Sequence, residues 1–428
     1  MQPNPISLRS YWRLVRGNAN FRRLWGAQVI SELGDWFYTL AVYGLLLEIT
    51  GSAAAVGLAV VLQLLPMTFA GPTAGVVNDR VSRRRVMIWA DIARALIVLF
   101  MLLARSPSTI WMVYPLLFAE SVMVAFFEPA RNAVVPNITS PEELMVANTL
   151  SSTTWSFNLA IGAMLGGVVA ALAGRDAVFV LNALSFLGSA ALIRRMCFPE
   201  PHTEGAPPLL ARDLVDFSPI LDGIRYVRSD RRVLVTVFVK FGLGLMGSNN
   251  VILPILGERV FPVRLEGLSP ERGAMLGMSL LMGARGAGSL LGPFVAGMWS
   301  GQNEGRLRLG ILGGFLLAAA GYMALGFSPY AWAAIAAVVF AHAGSSAVWV
   351  FSTTLLQIYT EDRFRGRVFA ADVGLLTLTI SLSSYLAGAL VDWGLPARVF
   401  ASATGLLMLV PALAWALALR TKAGGTSG

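Results

Sequence analysis

Gly75-Val76-Val77-Asn78-Asp79-Arg80-Val81-Ser82-Arg83-Arg84-Arg85 interrupts a chain that is otherwise mostly apolar. Upstream, residues 56–77 are long enough to cross a bilayer, and downstream residues 86–103 cross back, because a run of about 20 apolar residues spans the hydrocarbon core as a helix. The charged knot is therefore a tight loop between two membrane helices. Its arginines mark that side of the membrane as cytoplasmic. Spacing is as informative as charge here. Gly75 stands four residues before Asp79, and Arg80, Arg83 and Arg84 follow at offsets that a merely solvated basic turn does not require.

Of the 428 residues, 56% are hydrophobic and 13% charged, and the mean hydropathy is +0.67, far from the range of soluble domains. Apolar stretches lie near 24–47, 54–77, 86–103, 110–127, 148–173, 177–193, 233–255, 274–299, 307–326, 330–352, 368–390 and 396–419. The predicted fold is an all-α polytopic membrane protein with twelve transmembrane helices. A cytoplasmic N-terminus assigns 24 of the 33 Lys and Arg to inner segments and only Arg105, Arg175, Arg259, Arg264, Arg272 and Arg398 to outer ones. That bias predicts both termini inside. It also accounts for the net charge of +9. The arginines are spread over many segments instead of one face, so no nucleic-acid partner is expected. Cys197, the single cysteine, excludes an intrachain disulfide.

Residues 1–23 lack the short apolar region and cleavage site of a signal peptide and read as a cytoplasmic arm, with Leu8, Tyr11, Trp12 and Val15 on an amphipathic turn. The longest polar interruption, 194–232, separates six spans (24–193) from six (233–419), leaving 420–428 as a flexible tail. Within it, Ile220, Ile224 and Val227 share a helical face, predicting a helix on the membrane surface. An internal repeat supports the division: Gly71-Pro72-x-x-Gly75 ends the second span, and Gly292-Pro293-x-x-x-Gly297 ends the eighth. The second copy has Gly301 where Asp79 would fall, although Arg306 and Arg308 keep its loop basic.

The pattern Gly75-x-x-x-Asp79-Arg80-x-x-Arg83-Arg84 resembles the loop signature of the major facilitator superfamily. Asn20-Phe21-Arg22, Gly34-Asp35-Trp36, Thr50-Gly51-Ser52, Asp91-x-x-Arg94-Ala95 and Pro129-Ala130-Arg131 are similar to the twelve-span drug and siderophore exporters of that family, typified by macrolide efflux pumps and the enterobactin exporter. The resemblance implies two pseudo-symmetric six-helix halves that rock about a site between them, a place in the bacterial cytoplasmic (inner) membrane, a small-molecule substrate, protons as coupling ions, membrane lipids as surroundings, a monomer, and no cofactor. There are two departures from the pattern. Gly162-Ala163-x-x-Gly166-Gly167 keeps the glycines of the fifth-span antiporter motif without its proline, and the fourth span has Glu120 where many drug/proton antiporters have an arginine.

An ionisable side chain inside hydrocarbon is costly, so it faces a cavity or a partner. Glu32 and Asp35 lie three residues apart in the first span, with Gln28 and Thr39 on the same stripe. Two carboxylates on one face repel when both are ionised, which equips them to exchange a proton; the alternative is an ion pair with Arg94, Lys240 or Arg285. Glu120 is the reserve proton carrier. Lys240, Asn249 and Asn250 in the seventh span are candidates for the opposite wall of a substrate cavity. Arg285, among Gly283, Gly286 and Gly288, reads either as an anchor for an anionic substrate group or as the partner of an acid. His342, near Ser345 and Trp349, reads as a proton relay or as a hydrogen-bonded packing residue. No other histidine or cysteine stands near it, so no metal site is expected. Trp155, flanked by Asn158, combines a ring with a polar stripe.

Gating is expected of Gly75, through close helix contact, and of Asp79, Arg80, Arg83 and Arg84, with Asp79 set against a helix N-terminus. The Asp91/Arg94 pair would add charge-assisted bonds, and Asp372 would pair with Arg365 or Arg367. Together these features point to a proton-driven exporter of a small amphipathic compound, associated with efflux and multidrug resistance. An uncoupled facilitator, an importer or a lysophospholipid flippase of the same fold is the alternative. An enzyme is not expected, since neither a nucleotide-binding loop nor a His-based catalytic pair can be assembled.

Overall fold

A computed structural model of the chain describes residues 8–204, 218–300, 303–361 and 364–423. Among them the regular structure is helical throughout, and eleven helices are long and apolar enough to cross a membrane. The twelfth span is α2 (Ala19–Thr50), whose 32 residues carry Glu32 and Asp35 at mid-length. Those acids make it less apolar than the rest.

Spans two to six are α3 (Ala53–Arg80), α4 (Arg83–Phe100), α5 (Val113–Ile138), α6 (Pro141–Ala173) and α7 (Arg175–Arg194), preceded by the short α1 (Leu8–Gly17). After α8 (Ser218–Ser229), the seventh span is interrupted: α9 (Arg231–Leu245) passes through a tight turn at Met246–Ser248 into α10 (Asn249–Ile255) and a wide turn at Leu256–Val260. Gly242 and Gly244 precede the break, Gly247 lies within it and Pro254 follows it, and the proline removes a ladder hydrogen bond. Spans eight to eleven are α11 (Pro270–Ser300), α12 (Glu304–Phe327), α13 (Ala331–Tyr359) and α14 (Arg365–Asp392); α15 (Ala397–Leu407) and α16 (Leu409–Ala423) share the last.

The helices outrun the apolar stretches that announce them. α5 continues to Ile138, taking Pro129 and Arg131 inside, and α6 begins at once behind a capping box in which the Ser140 hydroxyl accepts from the Glu143 amide while the Glu143 carboxylate accepts from the Ser140 amide. Likewise α4 is capped by Ser82, whose hydroxyl accepts from the Arg85 amide.

Contacts divide the described residues into two compact units. One holds Met1–Val42 with Pro66–Asp216, and the other holds Tyr43–Leu65 with Phe217–Gly428. The end of α2 and the start of α3 therefore pack with the second unit, across the division by sequence halves. In the first unit, Leu14, Phe21, Leu24, Met87, Phe127, Val134, Ile193 and Met196 form a buried core. Its α1 buries Leu14, while Trp12, expected on the apolar turn, is exposed with the Arg16 guanidinium 4.2 Å from its ring centroid. Close crossing of α2 and α6 depends on two glycines, since a Cβ on Gly162 would sit 2.8 Å from Trp36 Cβ and one on Gly166 would sit 2.7 Å from Phe37 Cα. The antiporter-motif glycines thus pack α6 on the helix that carries Glu32 and Asp35.

In the second unit, Val227 of α8 is buried with Val233, Val237, Leu356 and Val368, while Ile224 is exposed. Ile220's side chain lies outside the described residues.

A candidate proton-coupling site

Arg94 is the hub of the first unit. Its guanidinium reaches three acids from three spans: Nη2 is 2.7 Å from Asp35 Oδ2 on α2, Nε is 2.9 Å from Glu120 Oε1 on α5, and Nη1 is 3.7 Å from Asp91 Oδ1 one turn back on α4. The rings of Phe186 and Phe127 lie 4.0 and 6.0 Å from it. Arg94, Asp91 and Glu120 are almost fully enclosed, whereas the Asp35 side chain keeps 32% of its surface accessible. Among the described residues, one Asp35 oxygen, Oδ1, is buried without a hydrogen-bond partner. A single base thus faces three acids, and with all three ionised the group is two charges in excess. Each proton bound reduces that excess, which is expensive to hold away from water.

Glu32 belongs to a different group. Its Oε1 accepts from Gln28 Nε2 at 2.8 Å and from Arg131 Nη1 at 3.0 Å, and its Oε2 accepts from Asn158 Nδ2 at 3.1 Å. Arg131 also holds Glu128 at 2.7 Å. Glu32 and Asp35 share a helix face but have different basic partners, so each acid sits in its own ion-pair group. The Thr39 hydroxyl donates to the Asp35 carbonyl, and Trp155 is half-exposed, edge-on to Trp36 at 6.2 Å.

The sequence offers little to mark Glu128 and Arg131 as partners of Glu32, because the apolar stretch ends at residue 127 while the helix runs on to Ile138. The helical period carries the signal: 120, 124, 127 and 131 fall on one face, and that face presents both Glu120 and Arg131. Asp91 and Arg94 do not join the gating loop with which they were grouped; they lie in this buried cluster.

At the loop itself, Asp79 is 75% exposed and 3.6 Å from Arg83. Arg83 donates to the carbonyls of Asn78 and Ala133, Arg84 donates to Met196, and Glu200 accepts from Ser82 and the Arg84 amide. Arg80 is the last residue of α3. A Cβ on Gly75 would meet nothing within 4 Å, so the close contact expected of that glycine is not made in this conformation.

In the second unit, Lys240 is fully buried. Its Nζ donates to Thr353 Oγ1 at 2.8 Å, lies 3.9 Å from Asp372 Oδ2, and sits 3.4 Å from the Trp349 ring centroid. Asp372 therefore faces Lys240; Arg367 lies over the Phe364 ring, and the Arg365 side chain is outside the described residues. Arg285 donates to Asn250 Oδ1 at 2.7 Å and, among the described residues, has no carboxylate within ion-pair distance. Asn249 is buried, its amide donating to the Met246 carbonyl. His342 Nε2 lies 3.1 Å from the Tyr322 hydroxyl.

The sequence pattern of the Major Facilitator Superfamily matches residues 24–276, more than half of the chain. The chain belongs to that superfamily. Membrane transporters, not enzymes, are its relatives. It is similar to macrolide efflux protein A of Streptococcus pyogenes, 24% identical over 89% of this chain and 90% of that protein. It is also similar to the putative bacilysin exporter BacE of Bacillus subtilis (strain 168), 24% identical over 76% and 77%. With the uncharacterised MFS-type transporter YfiS of Bacillus subtilis (strain 168) it is 30% identical over 42% of this chain, a match spanning 43% of that protein. Among solved structures, a POT family transporter in complex with a thioalcohol conjugated peptide superposes with a TM-score of 0.72 at 13% identity over 95% of this chain and 96% of that one. The nucleoside transporter NupG gives 0.70 at 12% over 93% and 99%. At such identities these structures speak for the superfamily fold alone.

Proposed function

We propose that this transporter exports a small amphipathic organic compound, drug-like or siderophore-like, by proton antiport through alternating access. The observation that carries the coupling is the three-acid, one-base cluster around Arg94. Asp35 is its exchangeable member, because it is the acid with accessible surface and a buried oxygen lacking a partner. A proton on Asp35 cancels the charge that holds Arg94 Nη2, loosening α2 from α4 while Glu120 and Asp91 keep Arg94 in place. Deprotonation restores the bond and the packing. Export is favoured as the direction by the efflux and exporter relatives. Arg285 offers a cationic anchor for a polar substrate group, and Trp36 with Trp155 offers apolar surface.

The test is transport of a labelled panel, including a macrolide, by purified protein in proteoliposomes under an imposed pH gradient. Asp35→Asn is expected to abolish uphill transport while leaving substrate binding measurable; Glu32→Gln, whose acid is held by three donors, is expected to have a smaller effect. Full gradient-driven transport by Asp35→Asn with loss in Glu120→Gln would move the role to Glu120. Indifference to both would replace antiport by facilitated diffusion.

A further inference from the structure

A groove of about 350 Å³ lies where α4 and α7 meet the arginine-rich face, lined by Arg84, Arg85, Ile88, Trp89, Ile92 and Arg194. Its floor is apolar. Ile88 and Trp89 each stand about one turn before Ile92 on α4, and Trp89 is 69% exposed. Beyond the groove, both helices continue with exposed apolar side chains, Leu96, Leu99 and Phe100 on α4 and Leu181, Leu184 and Leu187 on α7. In a membrane protein such a surface belongs against acyl chains.

The rim is basic, and its charge is largely unspent. Arg84 Nη1 is committed to the Met196 carbonyl at 2.8 Å. Arg85 and Arg194 are exposed, and among the described residues neither side chain has a hydrogen bond or an ion pair. Two free guanidinium groups at the end of a lipid-facing slot stand at headgroup depth, where each offers a planar fork of donors matched to phosphate oxygens. Basic pockets between membrane helices select anionic lipids by this charge complementarity.

We infer that this groove binds an anionic phospholipid, with the headgroup phosphate between Arg85 and Arg194 and an acyl chain along Ile88, Trp89 and Ile92. The site is separate from the Arg94 cluster and does not depend on what the protein transports.

Native mass spectrometry of the full chain in neutral detergent, titrated with phosphatidylglycerol or phosphatidylcholine of equal chain length, tests it. The unsubstituted protein should retain phosphatidylglycerol at least about tenfold more tightly. Arg85→Gln/Arg194→Gln should erase that preference, with Arg194→Gln alone intermediate. Trp89→Ala should weaken both lipids alike. Arg9→Gln/Arg13→Gln, which removes two exposed charges of the N-terminal helix, should keep the preference, and inorganic phosphate should not displace the lipid. Thermal unfolding in phosphatidylcholine verifies that each variant is folded. Equal retention of the two lipids, persistence of the preference in the groove double variant, or an equal loss in the Arg9/Arg13 variant would overturn the site. Displacement by inorganic phosphate would make the ligand a free anion and overturn the lipid assignment.

Discussion

At the scale of single residues, Arg94 decides more than any other side chain. Removing it leaves three acids from three spans without a base, so Arg94→Leu should lower stability by roughly 3–5 kcal/mol, the cost of breaking a buried pair from one side. Arg94→Lys should recover part of this, because one ammonium cannot serve Asp35 and Glu120 through a planar fork. Thermal unfolding in detergent measures both. Asp79 is the opposite case: with its side chain in solvent, Asp79→Asn should leave stability within about 0.5 kcal/mol of the parent. If the acid works as a gate, transport should nonetheless fall by roughly tenfold or more, as loss of one charge-assisted contact implies. Unaltered transport would reduce Asp79 to surface charge. The sequence made each of these residues visible, because any charge within an apolar run is conspicuous. It offered Arg94 as one of three possible bases for the first-span acids, and the Asp35–Arg94 pair is present, but it did not show which base meets which acid. Glu32 and Asp35 are neighbours on one face, yet the basic groups that meet them come from α4 and α5, and local spacing does not choose among such long-range partners.

At the scale of helices, positions were legible and ends were not. Hydropathy locates the part of a helix that sits in hydrocarbon, whereas the ends are fixed by capping groups, some supplied by distant segments. The start of α3 illustrates this. Asp392, at the end of α14, accepts from the Ala53 and Ala54 amides at 2.7 and 2.9 Å and from the Ser52 hydroxyl at 2.6 Å. A Cβ on Gly388, one turn earlier, would lie 2.4 Å from the Ala53 carbonyl oxygen, so only glycine permits this approach. The carboxylate thus satisfies amides that a helix N-terminus otherwise leaves unpaired. Asp392→Ala should cost about 0.5–2 kcal/mol, and hydrogen exchange at residues 53 and 54 should quicken by roughly 2- to 30-fold. Unchanged exchange there would mean that water replaces the cap without loss.

At the scale of the whole molecule, the duplication was legible as a repeat in sequence but not as a repeat in packing. Pro72 and Pro293 both lie inside their helices, yet a Cβ on Gly292 would strike the Ala343 carbonyl oxygen at 2.1 Å while one on Gly71 would meet nothing. The two copies have therefore diverged in what their small residues do, which is why pseudo-symmetry located the elements without identifying their contacts. Orientation follows from a different whole-chain property, the distribution of 33 Lys and Arg. Short basic loops resist translocation, so the arginine-rich ends of α3, α4 and α7 should face the cytoplasm. The single cysteine provides the reporter, since Cys197 is exposed and directly follows α7. In intact cells a membrane-impermeant maleimide should leave Cys197 unlabelled, and permeabilisation should expose it. In a Cys197→Ser background, Ser108→Cys, placed in the exposed turn between α4 and α5, should react without permeabilisation. The two reporters lie at opposite ends of the same crossing helices, so their labelling must be reciprocal if α4 spans the membrane at all. The reverse order of labelling would invert the topology and put the arginine-rich loops outside; labelling of both in intact cells would show that the bilayer does not separate the ends of α4.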